Sequence, residues 1–354
     1  MYKLNILFIR LVRGEKMKKY TIIASVLIFI LGGGSFILFK NKSQSIKKQL
    51  EKIESQLESY YLEGNMKMLD GDDLKDYLVK VNFLKYEEND YFKVELRDKI
   101  SNQEQIIIKN NEGVYVVTPA LNRAFQFKSE WPHNSPKPYI YQSLLKMFNS
   151  EYTQEKSKDG YLIEALVTYT SNPNIVKQEV KFNKDLHPVY VNVLNAEDVE
   201  LIQLEITNFE MNPKIEIIQF DVYNYVTSDS NTNQSGESEE TATISELPLY
   251  PVEVMGSVLV NEDELIIDGM VNHILQFDGV KSFTIVAAEV SISESFIIEP
   301  MNGDLIDLID SVAVYNNNEL QVIGNGIISQ IYSNDLTLTE MISIINSMQN
   351  MALK

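Results

Sequence analysis

The spacing of hydrophobic positions changes along this chain, and each change predicts a different kind of element. Tyr20 to Phe39 is one uncharged stretch between Lys19 and Lys40. At about 1.5 Å per helical residue it is long enough to cross the roughly 30 Å hydrocarbon core of a bilayer. From Ser45 to Glu63 apolar residues fall at Ile46, Leu50, Ile53 and Leu57, with Lys and Glu between them. That spacing predicts a surface helix whose single stripe packs on its own domain; it is too short for a stable coiled coil. Thereafter the period is two. Tyr77, Val79, Val81 and Phe83 alternate with Lys80 and Asn82, and Phe92, Val94 and Leu96 alternate with Lys93, Glu95 and Arg97. Such alternation predicts strands buried on one face. It continues through 105–109, 114–118 and 123–127, with Asn110-Asn111-Glu112-Gly113 as a turn, so a long antiparallel meander is expected.

Pro132, Pro136 and Pro138 interrupt the meander, since proline cannot donate to a central ladder. The following 139–148 carries Ile140, Leu144, Met147 and Phe148 at helical spacing. Alternation resumes at 160–170, 175–182, 188–194 and 199–209, which predicts one curved sheet with a helix packed inside it. Residues 227–247 are mostly Ser, Asn, Thr and Glu, too polar to offset the entropy of ordering, and are expected to be a flexible linker. Beyond it, strands are predicted at 264–267, 274–277 and 282–290, with turns at Asp278-Gly279 and Asn316-Asn317-Asn318. Thr337-x-x-Glu340 forms a capping box ahead of Met341, Ile342, Ile344, Ile345 and Met348. The expected class is α+β, mainly antiparallel β: an anchor over 17–44, a sheet domain over 45–226, the linker, and a small α+β domain over 248–354.

The anchor has three readings: a single spanning helix, a cleaved signal peptide ending at Gly32-Gly33-Gly34, or a lipobox-like Leu31-Gly32-Gly33-Gly34-Ser35 without its cysteine. Lysines flank it on both sides, so charge does not orient it. Met17-Lys18-Lys19 reads as a bacterial signal start, and residues 1–16 are expected to precede the native start. The 354 residues carry a formal net charge of -19, which argues against a nucleic-acid partner because phosphate binding needs clustered Lys and Arg. Cysteine is absent, excluding disulfides, thiolate metal sites and cysteine nucleophiles.

Candidate chemistry is sparse. His133, His187 and His273 lie far apart without ligand spacing, so no metal or cofactor is expected. Ser143-Leu144-Leu145-Lys146 matches the short Ser-x-x-Lys pattern of acyl-serine enzymes without its companion motifs, and the apolar face explains that helix better. Asp229, Asn231, Asn233 and Glu240 have the oxygen spacing of a calcium loop, but Gln234 stands where its turn needs glycine. No enzyme activity is expected. The larger signal is aromatic, with 19 Tyr and 15 Phe. Tyr77, Val79, Val81, Phe83, Phe92, Val94, Phe125 and Phe127 share the apolar face, which is either an ordinary β core or the wall of a cavity for an acyl chain.

The anchor, the stretch 57–66, Asp76 to Val81 and Ile106 to Pro119 together resemble the LolA-type lipoprotein-carrier superfamily, covering about Ser45 to Val226. Phe277 to Val286 and Leu336 to Glu340 are similar to the C-terminal domain of membrane-anchored sporulation proteins, the GerS/YdcC-like branch. The resemblance implies a curved half-barrel with an enclosed helix. It also implies an extracytoplasmic, non-enzymatic protein of sporulation or germination, held in the cell membrane through Tyr20 to Phe39, in the forespore or spore envelope. Partners implied are a cortex peptidoglycan amidase or, in the alternative, a lipid or lipoprotein acyl chain. The absent cysteine departs from the lipoproteins of that branch, and a permanent tether argues against a soluble shuttle.

Overall fold

The computed structural model describes residues 46–70, 73–132, 137–169, 174–225, 247–267, 269–308, 311–324 and 326–349. The proposed start at Met17, the stretch Tyr20 to Phe39 and nearly all of 227–247 lie outside them. Among the described residues no helix is long and apolar enough to cross a membrane. The chain divides into two units, Met1–Lys52 and Ile53–Lys354. Helix α1 covers 46–55.

The expected helix over 45–63 is therefore shorter, because its last part is strand. Tyr60 and Leu62 are fully buried between half-exposed Tyr61 and Glu63, a period of two that wins over the helical stripe once a partner strand is available. Strand β1 (Ser59–Asp70) accordingly pairs antiparallel with β2 (Asp73–Tyr86), Tyr60 facing Phe83 and Leu62 facing Val81. The meander continues through β3 (Asn89–Asp98), β4 (Glu104–Asn110), β5 (Gly113–Thr118) and β6 (Arg123–Phe127). After the proline break come α2 (Tyr141–Lys146) and a 3-10 turn at Met147–Asn149. Strands β7 (Tyr152–Lys156), β8 (Gly160–Leu166), β9 (Lys177–Asn183), β10 (Pro188–Leu194) and β11 (Glu200–Met211) follow. Strand β11 returns to β1, so the sheet runs β6-β5-β4-β3-β2-β1-β11-β10-β9-β8-β7. Gly64 sits at a bulge between β1 and β11, where an added Cβ would lie 2.6 Å from the Glu205 carbonyl oxygen. Only glycine permits that approach.

Strands β3 to β6 depart from the expected one-sided burial. Their second face carries Tyr91, Ile106, Ile108, Tyr115, Val117 and Ala124, buried with Phe220 and Val222 from 3-10 turns at Ile217–Phe220 and Val222–Tyr225. Apolar residues on both faces, as at Ile106-Ile107-Ile108, signal such double cover.

The C-terminal part forms β12 (Tyr250–Pro251), β13 (Ser257–Ile267), β14 (Met270–Gly279), β15 (Phe283–Glu289), β16 (Ile297–Pro300), β17 (Asp304–Asp307), β18 (Val312–Asn316), β19 (Glu319–Gly324) and β20 (Ile327–Tyr332). Helix α3 (Leu338–Asn346) and β21 (Met348–Gln349), which pairs with β12, complete it. The second sheet has the order β13-β14-β15-β20-β19-β18-β17. Met341, Ile342, Ile344 and Ile345 of α3 pack on Leu275, Phe277, Phe283, Ile285 and Ile331. Met348, expected on that helical face, lies instead in β21. The capping box forms in full: the Glu340 amide donates to the Thr337 hydroxyl, and the Glu340 carboxylate accepts from the Thr337 amide at 2.8 Å. Lys281 donates to both Glu340 oxygens at 2.6 Å. These bonds hold the Glu340 carboxyl down to about 2, Lys281 contributing most.

One strand crosses from the second half of the chain to the first sheet. Strand β16 pairs parallel with the edge strand β6, Ile298 beside Ala124. Arg123 forms an ion pair with Glu299 and donates to the Ser291 carbonyl, and the Asn122 side chain donates to the Ser293 carbonyl. The edge of β6 is thereby covered.

Candidate functional site

The eight side chains singled out by the alternation do gather on one face of the first sheet. Val81, Val94 and Phe125 share a row through Ile107 and Val116, and Phe83, Phe92 and Phe127 share the next. Val79 faces Gly64 and Tyr77 faces Met66 toward the other end of β2. None of the eight is more than 9 % exposed. The face is occupied by the chain that follows the proline break. Trp131 meets the Phe92 ring edge-on at 6.2 Å, Tyr141 meets Tyr60 at 5.9 Å and Phe209 at 5.0 Å, and Phe148 meets Phe182 at 6.2 Å. The Tyr141 amide donates to the Tyr60 hydroxyl, and the Tyr141 hydroxyl donates to the Leu186 carbonyl. Burial pushes both phenols up, so they remain neutral hydrogen-bonding groups.

Two features make this cover weaker than a long amphipathic helix. Helix α2 has six residues and no side-chain bond at its N-cap. Its Gln142 is 7 % exposed, yet among the described residues neither its amide nitrogen nor its oxygen has a hydrogen-bond partner. An unpaired buried amide costs about 1–3 kcal/mol.

On the opposite side of β3, Lys93 pairs with Glu95 at 2.6 Å and lies 5.1 Å from the Tyr225 ring. Burial works to lower its ammonium, but Glu95 and Tyr225 outweigh it and hold the group up.

The other candidate residues do not assemble into chemistry. Ser143 is buried while Lys146 is exposed. His187 packs against Phe209 at 5.1 Å, and His273 lies 3.1 Å from Glu264. His133 and the calcium-like Asp229 to Glu240 fall outside the described residues. Among the described residues, no group of three or more His, Asp or Glu side chains is placed to hold a metal.

Two surface features escaped the sequence reading. One is a shallow polar groove of about 560 Å³ lined by Gln276, Thr284, Asn317, Asn318, Tyr332 and Asp335, among others. Its polar groups largely bond one another, as Asn318 does to Asn334 and Ser282 to Asp335. The other is β13, an eleven-residue edge strand exposed from Val258 to Ile267. The sequence signal covered only its last four residues, because acidic residues break the alternation at its centre.

No family model matches the chain. It is 27 % identical over 320 residues to "Sporulation protein YdcC" of Bacillus subtilis (strain 168), spanning 88 % of this chain and 91 % of that one. The chain is similar to a sporulation protein. Solved structures that overlay it include the Pseudomonas aeruginosa MucA/MucB complex, with a TM-score of 0.29, 10 % identity, and 84 % of this chain against 95 % of that one. A putative outer membrane lipoprotein-sorting protein domain from Vibrio parahaemolyticus overlays at 0.29, with 13 % identity and 51 % against 97 % coverage. An uncharacterized conserved protein from Thermus thermophilus overlays at 0.35, with 12 % identity and 51 % against 92 %. At these scores none of the three decides a fold family.

Proposed function

We propose that this chain is a membrane-tethered, extracytoplasmic, non-enzymatic protein of sporulation that serves as a partner-binding scaffold. In this reading it belongs to the LolA-like, GerS/YdcC-like branch and supports a cortex peptidoglycan amidase. The observation that carries it is the similarity to YdcC, which runs through nearly the whole of both chains and so includes both sheets. The parallel β16–β6 pairing supports it as well, since it ties the second half of the chain to the first sheet as a scaffold requires. Tethering rests on the length and apolarity of Tyr20 to Phe39. Deleting the chain in its host and measuring muramic lactam in the spore cortex tests the role: the lactam falls if the reading holds, and an unchanged cortex rules it out. A reporter fused after Lys354 is expected outside the cytoplasm.

A second reading, an acyl-chain or lipoprotein binder that uses the face of Tyr77, Phe83, Phe92 and Phe127, is favoured by the unpaired Gln142 amide in the short covering helix. A ligand would displace α2 and satisfy or expose that amide. Native mass spectrometry separates the two readings: an acyl adduct on the purified chain supports the second, and a bare mass that captures the amidase supports the first.

A further inference from the structure

We infer that the free edge of β13 is a docking site for an extended segment of a protein partner, one with basic residues between apolar ones, which joins the second sheet as an additional strand. The inference deepens the scaffold reading and rests on it. Among the described residues strand β13 ends the sheet order, so one side of its backbone has no neighbouring strand there. Unpaired backbone groups along a strand are a template for strand addition. Edge strands are blunted by shortness, charge, proline or a bulge; β13 carries charge only at its centre and a bulge at Val260. It has eleven residues and exposes apolar side chains at both ends: Val258, Leu259 and Val260 at 41–65 %, and Leu265, Ile266 and Ile267 at 47–77 %.

The centre chooses the partner. Glu262, Asp263 and Glu264 lie between the two apolar ends. Glu262 accepts from Tyr250 at 2.6 Å and Glu264 faces His273, while the Asp263 carboxylate accepts only the neighbouring Glu264 amide among the hydrogen bonds described. A second copy pairing antiparallel through this edge would oppose carboxylates to carboxylates, which is unfavourable for directly facing residues. The net charge of -19 adds to that repulsion. Lys or Arg on the incoming strand instead meets complementary charge while its flanking side chains cover the exposed Val, Leu and Ile. The bulge at Val260 shifts the β13–β14 register between Leu259 and Asn261. It therefore places Leu259 and Glu262 on the same face and gives the edge a fixed pattern to read.

The test uses the full chain in lipid nanodiscs, with empty nanodiscs as the blank. The labelled probes are Thr-Val-Thr-Lys-Val-Lys-Thr-Val-Thr and its counterpart with Glu in place of Lys. Fluorescence anisotropy is expected to show the Lys peptide binding at least about fivefold more tightly, with the preference weakening in salt. The variant Glu262→Lys/Glu264→Lys, which changes the two carboxylates on one face of β13 and has its fold checked by circular dichroism, is expected to reverse the preference. Equal binding of both peptides, no binding, an unreversed preference in the variant, or self-association of the wild-type chain abolished by the variant each overturns the inference. Failure here leaves the cortex measurement unaffected, so an intact lactam phenotype with no peptide binding refutes the docking site alone.

Discussion

Two apolar surfaces of this molecule have opposite fates. The aromatic face of the first sheet is closed: Phe83, Phe92 and Trp131 pack ring against ring under the segment that follows the proline break. The apolar ends of β13 are open, with Ile266 77 % exposed. Both read as hydrophobic in the sequence, so hydrophobicity alone does not mark a binding site. What separates them is whether the chain supplies its own cover. The first sheet brings α2 and the 215–225 segment to its two faces; among the described residues the second brings α3 to one face and no strand to the β13 edge.

The sharpest contrast is between deletions in the two regions. Phe92→Ala empties a fully buried position and is expected to cost about 3–5 kcal/mol in chemical denaturation, whereas Ile266→Ala is expected to stay within about 0.5 kcal/mol. A comparable loss at both positions would mean that β13 is covered by something within the chain.

Smaller effects follow at the points that hold each region together. Arg123→Ala removes the ion pair with Glu299 and the bond to the Ser291 carbonyl. It is expected to cost about 1–2 kcal/mol and to speed amide exchange in Ile297–Pro300 before the rest of the first sheet. Thr337→Ala removes the α3 cap at about 1 kcal/mol, read as a lowered melting temperature of the second sheet.

The same cap has a pH signature. Glu340 titrates at about 2 in the folded chain, held there first by Lys281 and then by Thr337, below its ordinary range. The stabilisation is therefore fully present above about pH 4.5 and is lost as pH falls toward about pH 2. Lys281→Met is expected to flatten that part of the acid melting profile. Gln142→Leu is expected to be neutral or stabilising by about 1 kcal/mol because it removes a buried amide without a described partner. A clear loss of stability would show that the amide is paired in solution.

Much of the first sheet was legible. Strands β6 and β10 fall where alternation places them, and the Asn-rich turns after Asn110 and Asn316 form with Gly113, Asn317 and Asn318 at positive φ. The capping box at Thr337 was equally direct, since its chemistry is local. Two of the missed elements share a different property. Strands β16 and β17 are four residues long, too short for a period to register, and β16 gains its place by pairing with β6, a strand far away in the sequence. Strand β7 keeps only Gln154 buried, so its alternation is polar. The aromatic rows were found by sequence, but their closure was not, because burial under α2 depends on tertiary contacts such as Tyr141 with Phe209. The β13 edge was half-read for the reason that makes it distinctive: the carboxylates of Glu262, Asp263 and Glu264 interrupt its hydrophobic pattern.

Hydrogen–deuterium exchange of the full chain in nanodiscs, alone and with the Lys peptide, tests most directly whether the closed face is core and the open edge is the partner surface. The account predicts slow, unchanged amides around Phe92 and protection gained along Ser257–Ile267. Protection gained around α2 and β1–β3, with none along β13, would contradict it.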